Sequence, residues 1–118
     1  MLWELIFFSI QLYPENYFEK FNPATKFKKW AAIEVGTYEN IPSSFETLII
    51  PSGLYAIFIH KGLSADFSKT MNYIISEWLP NSEYKLDNRP YFEILGKKYK
   101  NNDPSSEEEV WIPIQKIS

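Results

Sequence analysis

One carboxylate in this chain stands among aromatic residues in a way that suggests chemistry. Glu93 lies in Tyr91-Phe92-Glu93-Ile94-Leu95, a run of strand-forming residues. Alternation along a strand sends Tyr91, Glu93 and Leu95 to one sheet face and Phe92 and Ile94 to the other, with Phe92 and Ile94 expected to meet the helix. On an uncovered face, a carboxylate ringed by aromatic side chains suits a cationic or polarised aromatic ligand. The rings supply area and π-faces, and the carboxylate supplies the counter-charge. The plainer alternative is a solvent-facing Glu93 paired with a lysine, the usual fate of a charge on a strand's second face. Other combinations are weaker. Ser-His-acid catalysis would need His60, the single histidine, which ends a strand beside Lys61-Gly62 and reads as a surface residue. Glu107-Glu108-Glu109 lacks the alternating spacing of a calcium loop and reads as a solvated approach to a strand. Lys26, Lys28 and Lys29 form a small basic patch that reads as solubilising. No G-x-G-x-x-G, Walker, H-E-x-x-H or G-x-S-x-G pattern occurs, so no cofactor, metal site or dedicated catalytic residue is expected.

Composition narrows the classes further. The chain has 118 residues, enough for one domain with a true core. A formal net charge of −3 argues against direct nucleic-acid binding, which needs a basic footprint. Without cysteine there is no disulfide framework, thiolate zinc site or cysteine nucleophile, and a reducing, cytoplasmic location is expected. No apolar run reaches the roughly 20 residues of a membrane span, and Glu4 interrupts the apolar start with no basic segment before it. Nine Phe, eight Tyr and four Trp remain to be placed.

An internal repeat supplies candidate elements. Ile10-Gln11-Leu12-Tyr13, Tyr17, Asn22-Pro23 and Trp30-Ala31-Ala32-Ile33 are matched by Phe92-Glu93-Ile94-Leu95, Tyr99, Asp103-Pro104 and Trp111-Ile112-Pro113-Ile114. Each copy reads as strand, polar connection, strand. Gln11 takes the place of Glu93, and Trp30 that of Trp111; a pseudo-twofold would bring all four to one cleft. Between the copies, Phe45 to Ile50 reads as β-prone, Gly53 as a turn or bulge glycine, and Leu54 to His60 as a strand. Phe67, Met71, Ile74, Ile75 and Trp78 recur on one face of a helix, with Ser64 as its cap and Pro80 at its stop. That apolar stripe is core packing. The fold class is therefore α+β. It combines a strand-strand unit with a strand-helix-strand-strand module, in a sheet whose second face the one helix cannot cover.

At these residues the chain resembles the GyrI-like small-molecule-binding superfamily, the effector-binding domain found behind AraC-type DNA-binding modules and also free-standing. The matching segments are Ile50 to Phe58, Glu77-Trp78-Leu79-Pro80-Asn81-Ser82, Arg89 to Ile94, and Glu109 to Ile114. The resemblance implies two strand-helix-strand-strand modules about a pseudo-twofold, one curved sheet, and a ligand groove between modules. It places a buried glutamate at the pocket centre, a role that falls on Glu93. Tyr55, Trp78, Tyr91 and Trp111 lie in matching motifs as pocket aromatics. One departure stands out. The second module takes 63 residues from Gly53 to Gln115, whereas 52 precede it. Residues 1–42 then read as a partial first module and 43–118 as a complete second one within a single domain. Leu2 to Phe7 is either a helix remnant or a strand extension. The uncovered first hairpin, with Ile10, Ile33 and Val35, predicts a homodimer.

The functional expectation is a binding module for a cationic or amphipathic aromatic molecule, the small organic ligand being its partner. Its ligand-binding residues would be Glu93, Tyr55, Trp78, Tyr91, Trp111, Trp30 and Gln11. Two alternatives stay open: a hydrolase of reactive small molecules acting through Glu93, and a gyrase- or regulator-interacting module.

Overall fold

The computed structural model describes residues 6–18, 22 and 24–117. Among them, strands β1 (Phe7–Leu12), β2 (Lys28–Ile33), β3 (Tyr55–Lys61), β4 (Tyr84–Leu86), β5 (Tyr91–Leu95) and β6 (Glu107–Lys116) form one curved antiparallel sheet. The order is β2-β1-β5-β6-β3, with β4 pairing the last residues of β6. The class is α+β, as the patterning implies. β6 is the spine of the core because every second residue points inward: Glu108, Val110, Ile112 and Ile114 are all buried.

The repeat is realised in the register. Ile10 lies opposite Trp30 in one hairpin, and Phe92 lies opposite Trp111 in the other. β1 and β5 then pair with each other, placing Ile10 opposite Phe92. Equivalent residues of the two hairpins are thus related by an axis through the Ile10–Phe92 pair, perpendicular to the sheet. Phe7 opens β1; the rest of the ambiguous opening segment falls on residues 1–5, outside the described residues, apart from Ile6.

The helical run covers one face of the second half. A 3-10 turn (Ser64–Asp66) leads into α1 (Phe67–Tyr73), which continues as a π turn (Ile74–Trp78) and a last 3-10 turn (Leu79–Asn81). Ile74 is fully buried against Tyr91, Val110, Ile112 and Ile114, while Phe67, Met71, Ile75 and Trp78 pack around that cluster. The expected stripe is the core contact. Ser64 makes no capping hydrogen bond, contrary to the sequence expectation. The chain enters through a 3-10 turn, so α1 starts at Phe67, and the residue at its cap position is Asp66. Phe45 to Ile50 forms no strand either. No neighbour offers it a ladder, and Phe45 and Ile49 remain exposed.

Gly53 has a packing role. A Cβ there would come within 2.6 Å of the Arg89 guanidinium. Arg89 is held by Asp87, with Nε donating at 2.8 Å, and by the carbonyls of Leu54 and Ile114, and it lies 4.5 Å over the Tyr55 ring. This guanidinium ties the entry of β3 to β6 and holds the Asp87 carboxyl below its ordinary range. Gly53→Ala should cost roughly 1–3 kcal/mol by overpacking. Urea unfolding of the variant beside the parent checks it.

Candidate functional site

The sheet presents two different faces. Register places Ser9 opposite Glu93 and Glu93 opposite Val110, and Val110 belongs to the cluster under the helix. Glu93 and Tyr91 therefore lie on the helix-side face, and Phe92 and Ile94 on the other. This reverses the assignment expected from the sequence. The helix packs where β6 offers Val110, Ile112 and Ile114, and strand pairing then carries Tyr91 and Glu93 to the same side.

Glu93 is buried, with 8% exposure, and Gln11 beside it has 5%. Gln11 Nε2 donates to Glu93 Oε1 at 3.1 Å and to Ser9 Oγ at 2.9 Å. These are the two equivalent positions of the repeat, so the hydrogen bond bridges the pseudo-twofold. On β6, Glu108 is also buried, with 7% exposure, and lies diagonally across the ladder from Glu93 on the same face. Burial is the main cause that pushes the Glu93 carboxyl up to about 8, and the neighbouring Glu108 carboxyl adds to the rise. Lys29, opposite Gln11 on β2, and the Gln11 amide act against it. At neutral pH Glu93 is thus mostly protonated.

The wall beside Glu93 is aromatic. Tyr13 packs edge-on against Tyr91 at 4.9 Å, and Phe18 lies 5.6 Å from the same ring. Tyr17 and Phe27 extend the cluster, at 4.7 Å each from Tyr13. Burial raises the Tyr13 phenol far above its ordinary value, with Tyr17 and Glu93 adding to it. Tyr13 is therefore a neutral donor over the whole working range.

The structure brings Glu93, Gln11 and Tyr91 together. Trp78 is on the same face but packs away from them, edge-on to Phe58 at 5.1 Å and stacked near Tyr84. Tyr55, Trp111 and Trp30 sit on the opposite face. There Phe92 stacks on Trp111 at 5.1 Å and meets Tyr55 at 5.2 Å, while Trp111 Nε1 donates to Glu109. Trp30 borders a separate open depression of about 540 Å³ with Lys28, Lys29 and Phe45. The expectation that Gln11, Glu93, Trp30 and Trp111 converge on one cleft is therefore corrected: they divide by face. A neighbouring residue on a strand points the other way, and each Trp is paired with Ile10 or Phe92.

Sequence reasoning missed Glu108, Ser9, Lys29 and Tyr13 around Glu93, and Phe18 against Tyr91. The signal for Glu108 was the alternation back from Ile114 through Ile112 and Val110, masked by the flanking glutamates. Glu108 is a buried strand residue, not part of a solvated loop. His60 is likewise buried and not a surface group. It faces Glu108 across the β3–β6 ladder, accepts from Thr70 Oγ1 at Nδ1 (2.6 Å) and donates from Nε2 to the Leu63 carbonyl (2.9 Å). The Leu63 carbonyl can only accept, which assigns this tautomer. Both nitrogens are engaged in holding β3 to the helix entry. Among the described residues no group of three or more His, Cys, Asp or Glu side chains is placed to hold a metal ion. No helix among them is long and apolar enough to cross a membrane.

A curved antiparallel sheet with one helix-covered face, and a buried carboxyl bridged across a pseudo-twofold on that face, defines an α+β domain built from two related hairpins. Comparison with known families gives its place: residues 11–115 match the GyrI-like small molecule binding domain, and the chain belongs to that family. A curated relative, a DNA gyrase inhibitor from Erwinia billingiae (strain Eb661), is 33% identical over 100 residues, 80% of this chain. The chain spans 62% of that relative's length.

Proposed function

We propose that the chain binds a cationic or amphipathic aromatic molecule on the helix-side face at Glu93, by equilibrium binding without chemistry. The observation that carries this reading is the buried Gln11–Glu93 bridge set against the Tyr13, Tyr91 and Phe18 rings. A buried carboxyl is costly to keep. A cation with an aromatic body would stabilise the ionised form of Glu93 and offer a surface to the rings. In this reading residues 1–42 act as a partial first module against the complete second module of 43–118. Matched probes test it: 4-phenylbutylamine against 4-phenylbutanol by calorimetry at pH 7. The amine should bind roughly tenfold more tightly or better, as about 1.4 kcal/mol of charge pairing requires. Equal affinities for the two would overturn the reading. Turnover of a reactive ester by the purified chain, lost in Glu93→Gln, would replace binding by hydrolysis.

The relative's name supports a second reading, in which the chain engages DNA gyrase. Inhibition of supercoiling that survives Glu93→Gln would favour it over the ligand reading. A homodimer accompanies the first reading. Phe7 and Ile33 on the helix-side face, and Ile57 and Ile59 on the other, are each about half exposed, enough apolar surface to favour a second copy. Light scattering at micromolar concentration should give twice the chain mass, and a monodisperse monomer would contradict it.

A further inference from the structure

We infer that the homodimer forms through the outer edge of β3, by antiparallel pairing with β3 of a second copy about a twofold axis at Phe58. The inference rests on the homodimer reading above and names its interface. β3 ends the sheet order, so one side of it carries no strand. The β3–β6 ladder fixes which groups that side presents. The Ile114 N–H donates to the Leu54 carbonyl and the Gly62 N–H to the Ser106 carbonyl, in a register that runs unbroken from Tyr55–Pro113 to Lys61–Glu107. Even-numbered residues of β3 therefore turn their backbone groups toward β6. Tyr55, Ile57, Ile59 and Lys61 turn their N–H and C=O groups outward. Among the described residues nothing hydrogen-bonds to these outward groups. Buried against a second strand they would all be satisfied.

The two ends of the sheet differ in how they meet solvent. At β2, Lys28 and Lys29 stand in the edge strand, and Ser44, Phe45 and Glu46 lie alongside it, which is how edge strands are ordinarily protected. β3 has no proline, no bulge and no charge before Lys61 at its end. Its outward residues also carry Ile57 and Ile59, half-exposed on the face without the helix. The occupant that fits is a second copy, because the strand is complementary to itself. Pairing about Phe58 sets Ile57 opposite the partner's Ile59, and Tyr55 opposite the partner's Lys61. Every outward donor then meets an outward acceptor. The isoleucines cover one another, and each ammonium meets a phenol ring rather than its own copy. Since β2 is protected, pairing stops at two copies and the assembly closes. A twofold perpendicular to the sheet keeps both helix-covered faces, and with them both Glu93 sites, on one side of a continuous sheet.

The chain has no cysteine, so introduced cysteines report the register. Ile57→Cys and Ile59→Cys are oxidised with diamide, each alone and as an equilibrated equimolar mixture. In the mixture the two sulfur-bearing positions face each other with Cα atoms about 5.5 Å apart, within disulfide reach. In either variant alone the identical positions stand roughly 9 Å apart, beyond it. The mixture should therefore give at least about fivefold more covalent dimer than either variant alone. Ile57→Lys, which places a charge in the pairing edge, should raise the dimer dissociation constant by roughly tenfold or more in light scattering. Ile33→Lys, on the other exposed apolar patch, should leave it within about twofold. Covalent dimer as abundant in either cysteine variant alone, or a dimer weakened by Ile33→Lys and not by Ile57→Lys, would overturn the inference and leave the homodimer reading standing. A monomeric wild type would overturn both. Should Ile57→Lys not fold, the cysteine pair still decides.

Discussion

Glu93→Gln is expected to stabilise the fold increasingly as the pH rises. The carboxyl is pushed up to about 8 in the folded chain, against an ordinary value near 4.5. Below about pH 4.5 it is neutral in both folded and unfolded states and costs nothing. Between 4.5 and 8 the unfolded chain gives up the proton while the folded chain keeps it. Stability therefore falls as pH rises through this window, and the full cost is present above 8. Each unit of displacement is worth about 1.4 kcal/mol, so the cost approaches roughly 5 kcal/mol at the alkaline end. Gln removes it without leaving a partner stranded. Its carbonyl can accept from Gln11 and its amide can donate to Glu108. Urea unfolding at pH 5 and pH 8.5 isolates the effect. The variant should lie within about 1 kcal/mol of the parent at pH 5 and exceed it by roughly 4 to 5 kcal/mol at pH 8.5. A difference that does not change with pH would contradict the buried, proton-holding carboxyl. The same substitution should weaken a cationic aromatic ligand by roughly 30-fold or more, the usual cost of removing one partner of a desolvated charge pair. A gain in stability with a loss of binding is what separates a ligand site from a structural buried group.

Ile74→Ala should be among the most destabilising single changes in the chain. Ile74 has no exposure and touches Tyr91, Val110, Ile112 and Ile114, which belong to β5 and β6. Truncation removes three carbons and leaves a cavity under the junction of α1 and the π turn. Buried Ile→Ala changes cost roughly 2–5 kcal/mol, and the completeness of burial here argues for about 3 or more. The neighbouring Tyr73 is about half exposed, and Tyr73→Ala should stay within about 0.5 kcal/mol. Denaturant midpoints of the two variants give the comparison. Since Tyr91 packs on Ile74 and on the Tyr13–Phe18 rings, Ile74→Ala should also loosen the wall beside Glu93.

Much of the architecture was legible because period and spacing carry it. The two hairpins were visible as matched Trp–Pro spacings, and their registers superpose through Ile10–Trp30 and Phe92–Trp111. The helix was visible in the recurrence from Phe67 to Trp78. Which face of the sheet receives that helix was not visible from β5 alone. Alternation says which residues travel together, and only the neighbouring strand says where they go. β6 held that information in Val110, Ile112 and Ile114, whose extension backwards also turns Glu108 inward. His60 was misread for a similar reason. It looks like a strand end, yet β3 continues to Lys61, and counting from Ala56 and Phe58 puts it on the packed face. Of the site, Glu93 and Gln11 could be found from the repeat, and Tyr91 from the alternation of its strand. Tyr13 and Phe18 could not, because they come from the β1–β2 connection, where no period constrains direction.

The most direct test of the account is the titration of the Glu93 side-chain carboxyl by carbon NMR, assigned with Glu93→Gln. The account predicts a midpoint near 8 in the free protein. It also predicts a clear shift of that resonance when the chain is saturated with a cationic aromatic amine. A midpoint near the ordinary 4.5, with no response to the amine, would contradict it.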